Sequence, residues 1–413
     1  MKSSLQSKYS YYALSLLLAV NLLNYIDRQI IYAVFPLIKD AFTLTDTSLG
    51  LLGSAFMLCY MLSAPPLGWL GDRMTRVRIA AAGLAVWSVA TSLSGLAASY
   101  RSLLSARISV GIGEASFGTV SPGLLSDYFP KEKRGRILSY FYLAIPVGSA
   151  LGYLLGGLLG ERFGWQAAFL IVGLPGILLT IPLWLLREPE RGATEERAST
   201  VEVAIKTDYM SLFYNRPYVI NTLAMTAMTF AMGGLAQWVP TFLYRFHRLD
   251  LTEANTYFGG ITVLAGIGGT LIGGWLGDFL QKKTDKGYLL VSGWGFIIGA
   301  PLTIYALVTP SVITCLVTIF FAEFFLFLNT GPLNTVIVNV TAPALRARAF
   351  AANIFIIHAL GDAVSPAMLG WLSDYWGLRD ALLMTPVALF AASVFCFLCG
   401  RVIGEGAGLR QGR

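Results

Sequence analysis

Twelve stretches of about 20 predominantly apolar residues run through this chain of 413 residues, each long enough to cross roughly 30 Å of hydrocarbon as a helix. They fall near 11–36, 48–70, 78–98, 101–127, 136–161, 166–186, 218–243, 253–277, 287–308, 311–339, 347–374 and 380–402. Lipid offers no partner to a backbone N–H or C=O, so each crossing segment must satisfy its own as a helix. Charged residues make up 13% of the chain and hydrophobic ones 55%, whereas a soluble protein has about a quarter charged. So few charges would not cover a soluble surface. The expected fold class is an all-α membrane protein with twelve transmembrane helices, and the 43 glycines suit close helix approach in lipid.

One long polar interruption, rich in Glu and Arg, runs from Arg187 to Arg216. It divides the chain into a six-helix bundle over 1–187, a cytoplasmic linker over 188–216 and a second six-helix bundle over 217–413. An internal repeat supports the division. Gly68-Trp69-Leu70-Gly71-Asp72 closes the second stretch and Gly274-Trp275-Leu276-Gly277-Asp278 the eighth, each followed by a basic loop. Pro130 to Arg134 is answered by Pro343 to Arg346, and Gly157 to Glu161 more faintly by Gly370 to Asp374. The latter two exit on the opposite face, the pattern that nested inverted repeats produce.

Charge sets the orientation. Of the 30 Lys and Arg, only Lys39, Arg101, Arg162, Arg245, Arg248 and Arg379 fall in the odd-numbered loops, and Arg28 and Arg107 lie inside stretches. The rest sit in the even-numbered loops and at the termini, so both termini are expected in the cytoplasm of a multi-pass inner (cell) membrane protein. The same distribution removes nucleic acid as a partner. The net charge of +7 comes from short loops, with no basic helix or aromatic-interleaved patch. Lys8 leads into an apolar run that passes Asn24, Asp27 and Arg28 and continues apolar, without a small-residue cleavage pattern.

Several reaction classes are excluded by what the chain lacks. It has no P-loop, HExxH, nucleophile elbow or strand-to-helix GxGxxG, and it has two histidines, so neither ATP-driven transport nor metal hydrolysis is expected. Cys396 and Cys399 form a CxxC inside the last apolar stretch without a second pair or a nearby His, and read as small buried side chains. No cofactor, metal or enzymatic activity is expected. No loop offers a domain-sized surface for a protein partner, and a monomer in contact with membrane lipids is expected.

Charges inside spanning helices cost several kcal/mol and are rare, so each is a functional candidate. They are Asp27 and Arg28 in the first stretch, Arg107 and Glu114 in the fourth, Glu323 in the tenth, and His358 and Asp362 in the eleventh. Arg107 and Glu114 are two turns apart on one helical face. The plainer alternative is mutual neutralisation, Asp27 with Arg107 or Arg28 with Glu114, and His358 with Asp362 at i, i+4. Asp72 and Asp278 sit instead at cytoplasmic helix ends. There a carboxylate faces neighbouring helix N-termini and the loop arginines Arg73, Arg76, Arg134 and Arg346, an arrangement suited to a cytoplasmic gate.

Gly68 to Arg78 (GWLGDRMTRVR) resembles the loop signature of the major facilitator superfamily, with Thr75 where glycine is usual, and Arg107-x-x-x-Gly111-x-Gly113 resembles its fourth-helix signature. Asn24-Tyr25-Ile26-Asp27-Arg28, Gly111 to Ser116, Ser121-Pro122, Asp127 to Phe129 and Asn329 to Pro332 are similar to the spinster family. The anion symporters of hexuronate and phosphate type share the first of these strings and the Gly-x-x-Glu-Ala pattern. The resemblance implies the major facilitator fold, two pseudo-symmetric six-helix bundles. It also implies a proton-linked secondary transporter, by alternating access, of a lipid-like amphipathic or small organic anionic solute. Asp27 and Glu114 are then the candidates for proton coupling. Arg28, Arg107, Asn24, Glu323, His358 and Asp362 are the candidates for a substrate and charge network. The alternative is a proton symporter for sugar-acid or phosphate-type anions.

Overall fold

A computed structural model describes residues 2–190, 210–342 and 345–411. Eleven helices among the described residues are long and apolar enough to cross a membrane: Lys8–Ala33, Asp46–Arg73, Arg76–Ser94, Arg136–Phe163, Trp165–Trp184, Arg216–Phe246, Leu251–Gln281, Gly287–Val308, Val312–Val340, Arg348–Trp376 and Leu378–Gly404. Tyr100–Tyr128 is the remaining span, fourth in order, and at 29 residues it is as long as its neighbours. Arg107, Glu114 and a series of serines make it the least apolar of the twelve. The spans are counted in this order below. The middle of the expected linker, 191–209, lies outside the described residues, as do Pro343 and Ala344 of the Pro343-to-Arg346 echo.

Helix starts follow local capping chemistry. Ser99 and Ser102 form a reciprocal capping box at the fourth span, Asn215 accepts from the Tyr218 N–H at the seventh, and Ser311 from the Thr314 N–H at the tenth. Each satisfies a donor that the first helical turn leaves orphaned.

Five spans depart from the unbroken helices expected of them. The fifth is interrupted at Leu143 and the twelfth at Leu383. The first ends at Ala33, and a separate helix, Phe35–Phe42, continues from Val34 with Pro36 in its first turn. The tenth breaks at Leu328 and Asn329, between Val312–Phe327 and Thr330–Val340. The eleventh contains a turn of π-helix over His358–Asp362. Such turns widen the hydrogen-bond ladder and concentrate at functional positions. Apolar content alone does not record these breaks.

The chain divides into two compact units. The first comprises Met1–Leu44, Ala55–Val203 and Asp250–Gly259, the second Thr45–Ser54, Ala204–Leu249 and Gly260–Arg413. In the first unit the buried core gathers Phe56, Trp87, Phe117, Leu124 and Phe141. Gly113 lets the fourth span approach the third so closely that a Cβ would stand 2.8 Å from the Gly83 carbonyl and from Trp87. In the second unit the Trp238 indole donates to the Pro366 carbonyl at 3.1 Å, and Asn221 donates to the Leu333 carbonyl at 3.1 Å. These bonds satisfy polar groups where lipid would not.

Candidate functional site

Inside the first unit, residues of the first four spans form a buried charge cluster. Arg28 donates through Nη2 to Glu114 Oε2 at 2.9 Å and through Nε to the same oxygen at 3.3 Å. The Glu114 side chain is fully buried and that of Arg28 is 17% exposed, so the pair has one face towards an accessible space. The Arg28 guanidinium stands 5.1 Å from each of the Tyr25, Phe56 and Tyr60 rings. Cation–π attraction, worth about 0.5–2 kcal/mol per ring according to solvation, offsets part of the cost of holding this charge away from water.

Asp27 follows the same helix one residue back and is almost fully buried. Its carboxylate accepts a hydrogen bond from the Thr91 hydroxyl of the third span. Of the two neutralising pairs expected, the structure forms Arg28 with Glu114, while Asp27 takes its hydrogen bond from Thr91 and not from Arg107. Arg107 is fully buried, stands 4.9 Å from the Phe56 ring and lies within electrostatic range of both Asp27 and Glu114. Asn24, also buried, directs its amide at Glu114. All five candidates from the first and fourth spans therefore meet in one place.

The remaining charge candidates lie in the second unit and form two smaller groups. Glu323 is buried and accepts from the Thr262 hydroxyl at 3.2 Å. It sits one turn before the break in the tenth span, and Phe324 and Phe327 next to it line Gly268 and Gly266 of the eighth. His358 and Asp362 do satisfy each other, Nδ1 to both carboxylate oxygens at 3.0 Å, though across a π turn.

Several candidate gate residues make local contacts. Arg76 pairs with Asp127 at 2.7 Å and Glu188 at 3.0 Å, and Glu188 also caps the Val77 N–H. Arg73 stacks on Trp69, 3.9 Å from its ring centre. Asp278 accepts from the Tyr288 hydroxyl at 2.8 Å, and Asp72 also has an interaction partner. Arg134 donates to the Ser126 carbonyl at 2.9 Å and Arg346 to the Val338 carbonyl at 3.1 Å. Both reach back eight residues to a helix C-terminus, where a cation is favoured, so the two loops repeat in geometry as well as in residue order.

Thr91, Tyr25, Phe56, Tyr60, Thr262, Asp127 and Glu188 were not among the expected site residues. A threonine or an aromatic in an apolar span carries no local signal of its partner.

The profile of the Major Facilitator Superfamily matches residues 17–366. Protein spinster of Drosophila melanogaster is 34% identical over 88% of this chain, which spans 62% of that relative. The sphingosine-1-phosphate transporter SPNS2 of Danio rerio is 34% identical over 91% of this chain and 81% of its own length. The chain belongs to the spinster family of the major facilitator superfamily. A solved bacterial homologue of the human lysosomal transporter spinster, inward-facing and unoccupied, has a TM-score of 0.87 and 27% identity over 95% of this chain and 97% of its own. A D-xylose-proton symporter shares the fold, with a TM-score of 0.75 at 18% identity. The expected spinster resemblance and major facilitator fold are therefore found.

Proposed function

We propose that this spinster-family chain is a proton-linked secondary transporter working by alternating access on an amphipathic, anionic, lipid-like solute. The observation that carries the reading is the Arg28–Glu114 pair, buried in membrane-spanning helices with Asp27 beside it. A carboxylate that gains a proton loses its hold on a neighbouring cation. Protonation of Asp27 or Glu114 would thus free the part-exposed Arg28 guanidinium to receive an anionic head group. The reverse transfer would return it to Glu114. Either change biases two conformational states by the difference in their interaction energies.

Asp27 is the first choice for the coupling proton and Glu114 the second, with Asn24 and Arg107 setting the charge balance around them. Glu323, His358 and Asp362 are assigned to the solute network of the second unit, beside the irregular turns of the tenth and eleventh spans. Asp72, Arg73, Arg76, Arg134, Asp278 and Arg346 are assigned to the cytoplasmic gate. The basic loops orient both termini to the cytoplasm of a cell membrane, the bundles are divided at 188–216, and the chain acts as a monomer. The sphingosine-1-phosphate for which the zebrafish relative is named, a lipid phosphate, and the aromatic walls around Arg28 favour an amphiphile over a sugar acid.

Uptake by proteoliposomes under an imposed pH gradient tests this directly. A single-chain lipid phosphate or lysophospholipid is expected to accumulate severalfold faster than in empty vesicles, and a hexuronate is not. Uptake of the hexuronate alone would replace this reading by the organic-anion symporter.

A further inference from the structure

The two halves repeat in sequence, yet the basic-loop end of the second bundle keeps a cavity at a place that the first bundle fills with a cation. In the first unit that cation is Arg76, at the start of the third span. Its guanidinium bridges Asp127 at 2.7 Å and Glu188 at 3.0 Å. Tyr9 and Tyr128 bond the N–H and the carbonyl of Arg187, the residue before Glu188.

The equivalent positions of the second unit lack the cation. Arg134 reaches the carbonyl of Ser126, the residue before Asp127, and Arg346 that of Val338, the residue before Asn339, so Asn339 answers Asp127. The third span starts at Arg76 and the ninth at Gly287, so a glycine answers the arginine. A Cβ on Gly287 would stand 2.2 Å from the Gln281 nitrogen, which leaves no room for a side chain there.

What remains is a cavity of about 600 Å³ among the ends of the seventh, eighth, ninth, tenth and twelfth spans, within the size range of small-ligand sites. Two amide side chains fix its walls and use their own hydrogen bonds to do so. Asn215 donates to the Val340 carbonyl at 2.7 Å and accepts from the Tyr218 N–H. Gln281 donates to the Asp285 carbonyl at 3.2 Å and accepts from the Tyr288 N–H at 3.3 Å. Asp285 and Asn339 also line the cavity, and among the described residues their side chains make no hydrogen bond or ion pair. Two helix N-termini and two C-termini meet here, so their opposed end charges offset. Asp285 therefore makes this a place for a cation.

The surroundings set the kind of cation. The helix Met210–Tyr214, directly before Asn215, buries Leu212 and exposes Met210, Phe213 and Tyr214, as a segment at the lipid surface does. Lys286 follows Asp285 and runs along the last span, its ammonium 2.7 Å from where a Cβ on Gly404 would stand, next to the lining Ile403. A zwitterionic lipid head group matches this order, with its ammonium towards Asp285 and its phosphate towards the Lys286 rim. A primary ammonium donates three hydrogen bonds to carboxylate and amide oxygens. A quaternary one donates none and relies on aromatic faces, of which the cavity wall offers only Tyr288.

We propose that this cavity binds the head group of phosphatidylethanolamine, whose ammonium takes the place that Arg76 fills in the first unit. The site needs no part of the proposed transport cycle.

The test is thermal unfolding of the delipidated full-length protein in detergent, titrated with short-chain phosphatidylethanolamine, the matching phosphatidylcholine and soluble phosphoethanolamine. Phosphatidylethanolamine is expected to raise the melting temperature by several degrees, as a ligand of the folded state does, and phosphatidylcholine to raise it roughly threefold less. Asp285→Asn is expected to bring the two lipids to the same small shift, with the lipid-free melting temperature unchanged. Asn339→Asp, which restores the counterpart of Asp127, is expected to saturate at roughly threefold lower phosphatidylethanolamine. Equal shifts from the two lipids in the wild type would overturn the ammonium assignment. A phosphatidylethanolamine shift that survives Asp285→Asn would put the lipid elsewhere on the protein and overturn the site. A shift from phosphoethanolamine as large as that from the lipid would overturn the lipid as its source.

Discussion

Arg28 and Glu114 come from spans 86 positions apart and share one carboxylate oxygen. Removing one partner of such a pair leaves a poorly solvated charge without its bonded counter-ion. That costs more than removing both. Thermal unfolding of Arg28→Met, Glu114→Gln and the double variant in detergent is expected to give a coupling energy of about 0.5–3 kcal/mol, with the double variant more stable than the single-variant effects would sum to. Additive effects would mean that the aromatic rings carry Arg28 unaided. At this scale the sequence was informative about which residues matter, because a charge within an apolar run is visible without a partner. Asp27, Arg28, Arg107 and Glu114 stand out in that way, and Asn24 through the string it shares with the spinster family. Their pairing does not, since a hydrogen bond such as Thr91 to Asp27 depends on how two helices face each other and leaves no mark in either segment.

Among the elements, apolar length set the number of spans and capping residues their starts. Glycine decides how near the spans come, and its effect depends on what faces it. Gly113→Ala places a methyl against the Gly83 carbonyl and Trp87, whereas Gly68→Ala meets nothing within 4 Å. The first is expected to lower the melting temperature by several degrees. The second should leave it unchanged or raise it slightly, since alanine is the better helix former by about 1 kcal/mol. Equal effects, measured by fluorescence-detected unfolding, would count against glycine-mediated packing of the third and fourth spans. The breaks at Val34, Leu143, Leu328–Asn329 and Leu383 and the π turn at His358–Asp362 leave no mark in the apolar pattern. Pro36 was visible, but proline also sits inside unbroken spans such as Asp46–Arg73. Whether a turn opens depends on the neighbours that re-satisfy its backbone.

For the whole molecule, membrane class and internal duplication were legible because they rest on long, repeated patterns. The five-residue repeat at Gly68 and Gly274 pointed to two related halves, and the equal reach of Arg134 and Arg346 carries that relation into three dimensions. Compact-unit boundaries were not legible. Thr45–Ser54 groups with the second unit and Asp250–Gly259 with the first, a grouping that only folding brings about. In the proposed cycle a proton on Asp27 drives solute movement. Its most direct test compares wild-type and Asp27→Asn proteoliposomes, loading a single-chain lipid phosphate under an imposed pH gradient and under none. The gradient is expected to accelerate uptake severalfold in wild type and not at all in Asp27→Asn, while solute binding persists in both; equal acceleration in the two proteins would contradict the account.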